Sequence, residues 1–255
     1  MLTRGRLEEW DASMVASYEP SSREQALNIV MGFWRWAFDD EEVGEHFDRP
    51  RKLEVPGRVA KPVRAPTWAH MDEAIAACPH VPTKRAMVLM RCLGWRVGQV
   101  QRLEWQDVDL EAGTFQLRGE LGKSRAEKIG RVVPIAKVLV DELAGWGVRE
   151  GRIVNVSLVQ VHKHMLRAWL ASGAPAEVFE KKTGHAFRRG FRTELKAAGV
   201  DSEAIEFYCG RVIGVRELYT DPRALALAEL VAAIPPFGSC VPGVSRLTAR
   251  KTKIG

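Results

Sequence analysis

The chain has 255 residues, 46% of them apolar, and a formal net charge of +6. That length suits one large domain or two modest ones with an ordinary core. No apolar run reaches the roughly 18 residues a membrane helix needs; Glu8, Glu9 and Asp11 behind Arg4 do not read as a signal peptide; and Cys78, Cys92, Cys209 and Cys240 are too scattered for a zinc site or a disulfide scaffold.

A cytosolic location is the default for such a chain. The charge is uneven: residues 1–60 hold 8 Lys/Arg against 12 Asp/Glu, and residues 61–255 hold 30 against 20. A basic body suits a polyanionic partner such as DNA.

In chain order, residues 21–47 read as a helix that Ser21 or Ser22 caps. Leu27, Val30, Met31, Trp34 and Phe38 give it one apolar face. The run Phe33-Trp34-Arg35-Trp36 reads as core packing of a small helical domain in preference to a DNA contact. Residues 48–66 contain Pro50, Pro56, Pro62 and Pro66 among six Lys/Arg, the mark of a stiff basic linker. Helices follow from Thr67 to about Cys78 and from Thr83 to about Leu93. Gly94 interrupts, and Val97 to Trp105 continues helically. Residues 114–118 and 130–135 read as strands around a charged hairpin tip. Helices resume at Lys137–Leu143, Leu158–Ala171, His185–Ala198, Ser202–Cys209 and about Arg223–Ala233. A basic Gly/Ser/Pro-rich tail, 236–255, reads as flexible. The whole is mainly α with a small antiparallel sheet, an α+β pattern. His162 and His164 alternate along a helix and so point apart, which favours a surface role over a metal site.

Five short stretches resemble, in order, the catalytic domain of the tyrosine recombinases of the phage integrase family. They are Leu93-Gly94-Trp95-Arg96 with Leu103-Glu104-Trp105-Gln106-Asp107; Lys123 in the hairpin before Arg131-Val132-Val133-Pro134-Ile135; His185-Ala186-Phe187-Arg188; Cys209-Gly210-Arg211; and Glu217-Leu218-Tyr219-Thr220. The resemblance covers about residues 62–225, and 31 positions separate Arg188 from Tyr219, as is usual in the family.

The resemblance implies a helical core-DNA-binding domain (1–60), a catalytic domain (62–235), and a clamp of the two around double-stranded DNA. It implies cleavage and rejoining through a 3′-phosphotyrosine on Tyr219, with Arg96 and Arg188 on the attacked phosphate and Lys123 as general acid. Lys128 is the alternative acid. His185 and Arg211 would assist at the phosphate, without cofactor or metal. The chemistry suits these residue types. A pentacoordinate phosphorus gathers negative charge on its nonbridging oxygens, and fixed cations stabilise that state above the ground state. Arginine offers a planar two-donor fork that never loses its charge. Tyr208 is the competing tyrosine, but its apolar surroundings point to the core. Arg189, Arg192 and Arg216 read as backbone or solvent contacts.

Two departures stand out. Arg211 occupies the usual histidine position, and Gln99 replaces an acidic residue, which bears on helix packing. The segment Arg223–Ala233 is the expected contact for tetramer assembly. A type IB topoisomerase or a catalytically silent DNA-binding protein are the other readings.

Overall fold

The computed structural model describes residues 3–40, 44, 49, 64–118, 131–147, 149–179, 183–210 and 226–239. The chain divides into two compact units, 1–62 and 63–255. Most of the basic linker, 50–63, lies outside the described residues.

In the first unit, α1 (Arg4–Met14) and α2 (Pro20–Asp39) pack through Leu7, Leu27, Met31 and Trp34. The sequence reading misses α1, because Leu7 is the one residue the helix buries and no apolar stripe announces it. Arg23 on α2 locks the pair: its Nε and Nη2 donate to the two carboxylate oxygens of Asp11 at 2.9 and 2.6 Å. Two expectations for α2 need correction. Its N-cap is Glu19 with Pro20 at the first position, since proline has no N–H to satisfy there, so neither serine caps it. It ends at Asp39, where Asp40 turns extended, well short of residue 47. The aromatic run also splits. Trp34 is buried, whereas Phe33 and Trp36 are more than half exposed and lie 5.7 Å apart, ring centre to ring centre.

The second unit is built around α4 (Val81–Leu93), buried without a break from Ala86 to Leu93. Around it pack α3 (Trp68–Ala76), α6 (Lys137–Ala144), α7 (Leu158–Ala171) and α9 (Thr183–Ala197). Thr67 and His80 cap α3 and α4 by accepting backbone N–H groups three residues on. The sheet is β1 (Val108–Asp109), β2 (Thr114–Leu117) and β3 (Arg131–Pro134), antiparallel in that order. Its register sets Phe115 opposite Val133, both turned to the core, with Gln116 and Val132 facing out. The short α8 (Ala176–Phe179) precedes α9; α10 (Ser202–Tyr208) and α11 (Leu227–Ala232) complete the unit. The architecture is the expected mainly helical one with a small antiparallel sheet.

Three local differences have physical causes. The helix expected over Val97–Trp105 lasts one turn, α5 (Val97–Val100). Beyond it the chain straightens to pair with 151–153: Ile153 N–H donates to Leu103 O at 3.0 Å and Trp105 N–H to Gly151 O at 2.9 Å. The start of the tail is seated on the second unit: Phe237 packs over Arg91, and Gly238 N–H donates to Asp72. Finally, α11 turns its apolar face onto its own unit, burying Leu227 and Leu230 against α10 and β3, with Ile234 just beyond. No helix among the described residues is long and apolar enough to cross a membrane.

Candidate active site

The site begins where α4 stops. Gly94 ends the helix with φ of +63°, and a Cβ there would lie 2.4 Å from the Phe191 ring. Glycine satisfies both demands, a left-handed backbone and a close approach. The chain then buries Trp95, whose indole N–H donates to Tyr208 O at 2.8 Å. Arg96 follows, half-buried at the start of α5, with extended backbone. Its N–H is accepted by Gln99 Oε1 at 3.0 Å, and Gln99 is itself buried. The residue that departs from the acidic norm therefore orders the turn that presents Arg96.

The helix α9 brings the second pair. His185 lies exposed in its first turn, and Arg188 one turn later is only 7% exposed. Spacing of three places both on one side of the helix. Arg188 Nη1 donates to Gly94 O at 3.1 Å and to Cys209 O at 2.6 Å. One guanidinium thus ties three segments together: the α4–α5 corner carrying Arg96, α9, and the end of α10 just before Arg211. Of the six residues that the sequence singles out, the structure gathers Arg96, His185 and Arg188 around this tie. Lys123, Arg211 and Tyr219, and the alternative acid Lys128, lie outside the described residues.

Tyr208 is fully buried, and its hydroxyl donates to Pro134 O at 3.0 Å. Burial pushes its phenol well above the ordinary tyrosine range, with Cys92 and Cys209 adding in the same direction. Two arginines that read as backbone or solvent contacts also bond within the fold. Arg189 Nη2 donates to Val178 O at 2.9 Å, and burial lowers its pKa from the usual value. Arg192 pairs with Glu206 on α10. Both therefore stitch α9 to its neighbours. His162 is exposed, but His164 stacks on His80 with ring centres 4.1 Å apart. Among the described residues no group of three or more His, Cys, Asp or Glu is placed to hold a metal.

Two buried ion pairs carry no mark in the sequence. Arg91, fully buried, has Nε 2.9 Å from Asp72 Oδ1 and lies between the rings of Trp68 and Phe237. Asp107, within the Leu-x-Trp-x-Asp stretch, faces Arg118. A cleft of about 600 Å³ between α3, α4, α6 and Phe237 contains none of the site residues. A phosphate within a duplex needs an exposed basic face, so this cleft is not where it would bind.

Residues 68–212, more than half of the chain, match the phage integrase family. Tyrosine recombinase XerA of Thermococcus kodakarensis is 28% identical over 210 residues, covering 77% of this chain and 70% of that protein. Tyrosine recombinase XerD of Mycobacterium leprae is 28% identical over 255 residues, covering 88% and 77%. Among solved structures, the integrase of mycobacterium phage Brujita is similar with a TM-score of 0.51 at 19% identity, over 95% of this chain and 82% of that one. The Tn1549 transposon integrase, solved with circular intermediate DNA, gives a TM-score of 0.59 at 15% identity, over 81% and 77%. These two likenesses concern the fold. With its corner arginine, its His-x-x-Arg helix and this family match, the chain belongs to the phage integrase family and is a tyrosine-type site-specific recombinase.

Proposed function

We propose that the chain cleaves and rejoins double-stranded DNA at specific sites through a 3′-phosphotyrosine on Tyr219. The observation that carries this reading is the double hydrogen bond of Arg188 to Gly94 and Cys209, carbonyls 94 and 21 residues away in sequence. It ties the Arg96 corner, the helix that carries His185 and the end of α10 together, which supports the reading. In this reading Arg96, Arg188 and Arg211 hold the nonbridging oxygens of the attacked phosphate, where their charge counts most as the phosphorus becomes pentacoordinate. Tyr219 Oη bonds to phosphorus, the bond to the 5′ oxygen breaks, and Lys123 supplies the proton that oxygen takes up. His185, exposed at the head of α9, accepts the phenol proton or holds the phosphate. The bond energy is kept in the phosphotyrosine, so rejoining needs no ATP and no cofactor.

Tetramer assembly on DNA through Arg223–Ala233 belongs to the same reading. Because α11 is seated on its own unit, assembly through this segment takes the form of an exchange of α11 between equivalent seats on neighbouring protomers. In the same reading the first unit, with Phe33 and Trp36 exposed beside Arg35, serves as the core-DNA-binding domain.

A suicide substrate tests the nucleophile. Nicked duplexes carrying attachment sites trap a covalent complex that survives denaturation. Tyr219→Phe is expected to abolish that band without metal or ATP present, and Tyr208→Phe to leave it. A band that persists in Tyr219→Phe overturns the assignment. Relaxation of supercoils without strand exchange between two sites favours topoisomerase chemistry instead.

A further inference from the structure

The Leu103–Asp107 stretch holds a buried carboxylate that the phosphate chemistry leaves without a task. The Asp107 side chain is 2% exposed, and an isolated charge so deep is costly unless it is paired. Its partner is Arg118, whose Nε lies 2.8 Å from Oδ1 and whose Nη2 donates to Oδ2 at 3.2 Å. The same Oδ2 accepts Glu104 N–H at 2.9 Å. Arg118 Nη2 also lies 3.4 Å from Glu104 Oε2 and donates to Arg102 O at 3.4 Å. Arg118 is the first residue past β2, and residues 119–130 separate it from β3. The far foot of that segment, Arg131, pairs with Leu117, the neighbour of Arg118. The fork thus joins the end of β2 to the chain leaving α5, the turn that Arg96 begins.

We propose that Arg118, held by Asp107 and Glu104, is a positioning residue that fixes the end of β2, from which the 119–130 segment departs, relative to the Arg96 corner, and so serves delivery of a proton to the leaving 5′ oxygen. This rests on the reading of a lysine in that segment as the general acid. In the step concerned, Tyr219 Oη–P forms and P–O5′ breaks. The bonding pair moves to O5′, and the lysine ammonium gives O5′ a proton; the phenol proton departs separately. If sulfur replaces the bridging 5′ oxygen, P–S breaks and a thiolate leaves without a proton, since thiols ionise near about 8.5. A fault in proton delivery then disappears, whereas a fault in folding, DNA binding or the nucleophile remains.

The experiment is single-turnover cleavage by the full chain of nicked duplexes with either 5′-bridging oxygen or 5′-bridging sulfur. Arg118→Ala and Asp107→Asn are expected to lose about 100-fold on the oxygen substrate, the cost of a misplaced catalytic group, and to cleave the sulfur substrate nearly as the parent does. Arg118→Lys, which keeps the charge and loses the fork, is expected to fall between. Equal losses on both substrates, or no loss on either, overturn the proposal. Lys123→Ala and Lys128→Ala run alongside. If one of them is rescued by sulfur and Arg118→Ala is not, the positioning role alone fails. If neither lysine variant is rescued, the general-acid reading fails, and the proposal with it.

Discussion

Arg188 shows at the scale of one residue how a buried charge is held. A guanidinium at 7% exposure is affordable only when its donors are used, and two of its bonds end on main-chain carbonyls, which no neighbouring side-chain change can remove. Tyr208 is the opposite case, a polar group made inert by burial. Unfolded, its phenol ionises near about 10; folded, it stays protonated well above that. Above about pH 10 the unfolded chain sheds a proton that the folded chain keeps, so the stability present at lower pH is lost as pH rises. Cys92, pushed up to about 12 by burial, acts in the same direction. Urea unfolding should therefore show Tyr208→Phe about 1 kcal/mol less stable at neutral pH, the worth of its bond to Pro134. The gap should narrow in strong alkali; a gap that widens would contradict a buried phenol. The burial of Tyr208 was legible in the sequence because it sits in an apolar stretch, and Arg96, His185 and Arg188 were singled out because each sits in a local pattern. Arg91 and Arg118 were not, because what defines them is a carboxylate 19 or 11 residues away.

Among elements, the corner between α4 and α5 is the most constrained. Gly94→Ala would force a side chain into the left-handed region, about 1–2 kcal/mol, and drive its Cβ into the Phe191 ring, about 1–3 kcal/mol more. Thermal or urea unfolding is expected to register a loss of about 2–5 kcal/mol, with covalent-complex formation falling as Arg96 shifts. A variant as stable as the parent would refute the packing argument. The long helices were readable because amphipathic spacing reports a helix packed on one side; α7 spans Leu158–Ala171, as its pattern predicts. The readings failed where tertiary contact decides. Pairing with Gly151 and Ile153 draws Leu103–Trp105 out of α5, and α1 owes its place to one leucine and an ion pair. The two-residue β1 and the one-turn α8 are too short to leave a period in the sequence.

Taken whole, the molecule carries its positive charge beyond residue 60, and its affinity for duplex DNA should be largely electrostatic. Binding measured over a series of salt concentrations is expected to fall linearly in log–log form, with a slope near −0.9 for each phosphate contacted. A flat dependence would argue against a phosphate-gripping surface. The division into two units was legible from the prolines of the linker, whereas the docking of Phe237 was not, since a Gly/Pro-rich tail looks the same whether anchored or loose. That anchor also bears on synthesis. Arg91 Nη1 donates to Pro235 O, 144 residues downstream, and Gly238 N–H reaches back 166 residues to Asp72. On the ribosome, therefore, α3 and α4 emerge with the buried guanidinium covered on the Trp68 side alone, and Pro235, which helps close its other side, is made 144 residues later. Closure of the second unit over Arg91 thus waits on Pro235 and Phe237, so a chain cut before Pro235 is expected to leave the arginine open on that side.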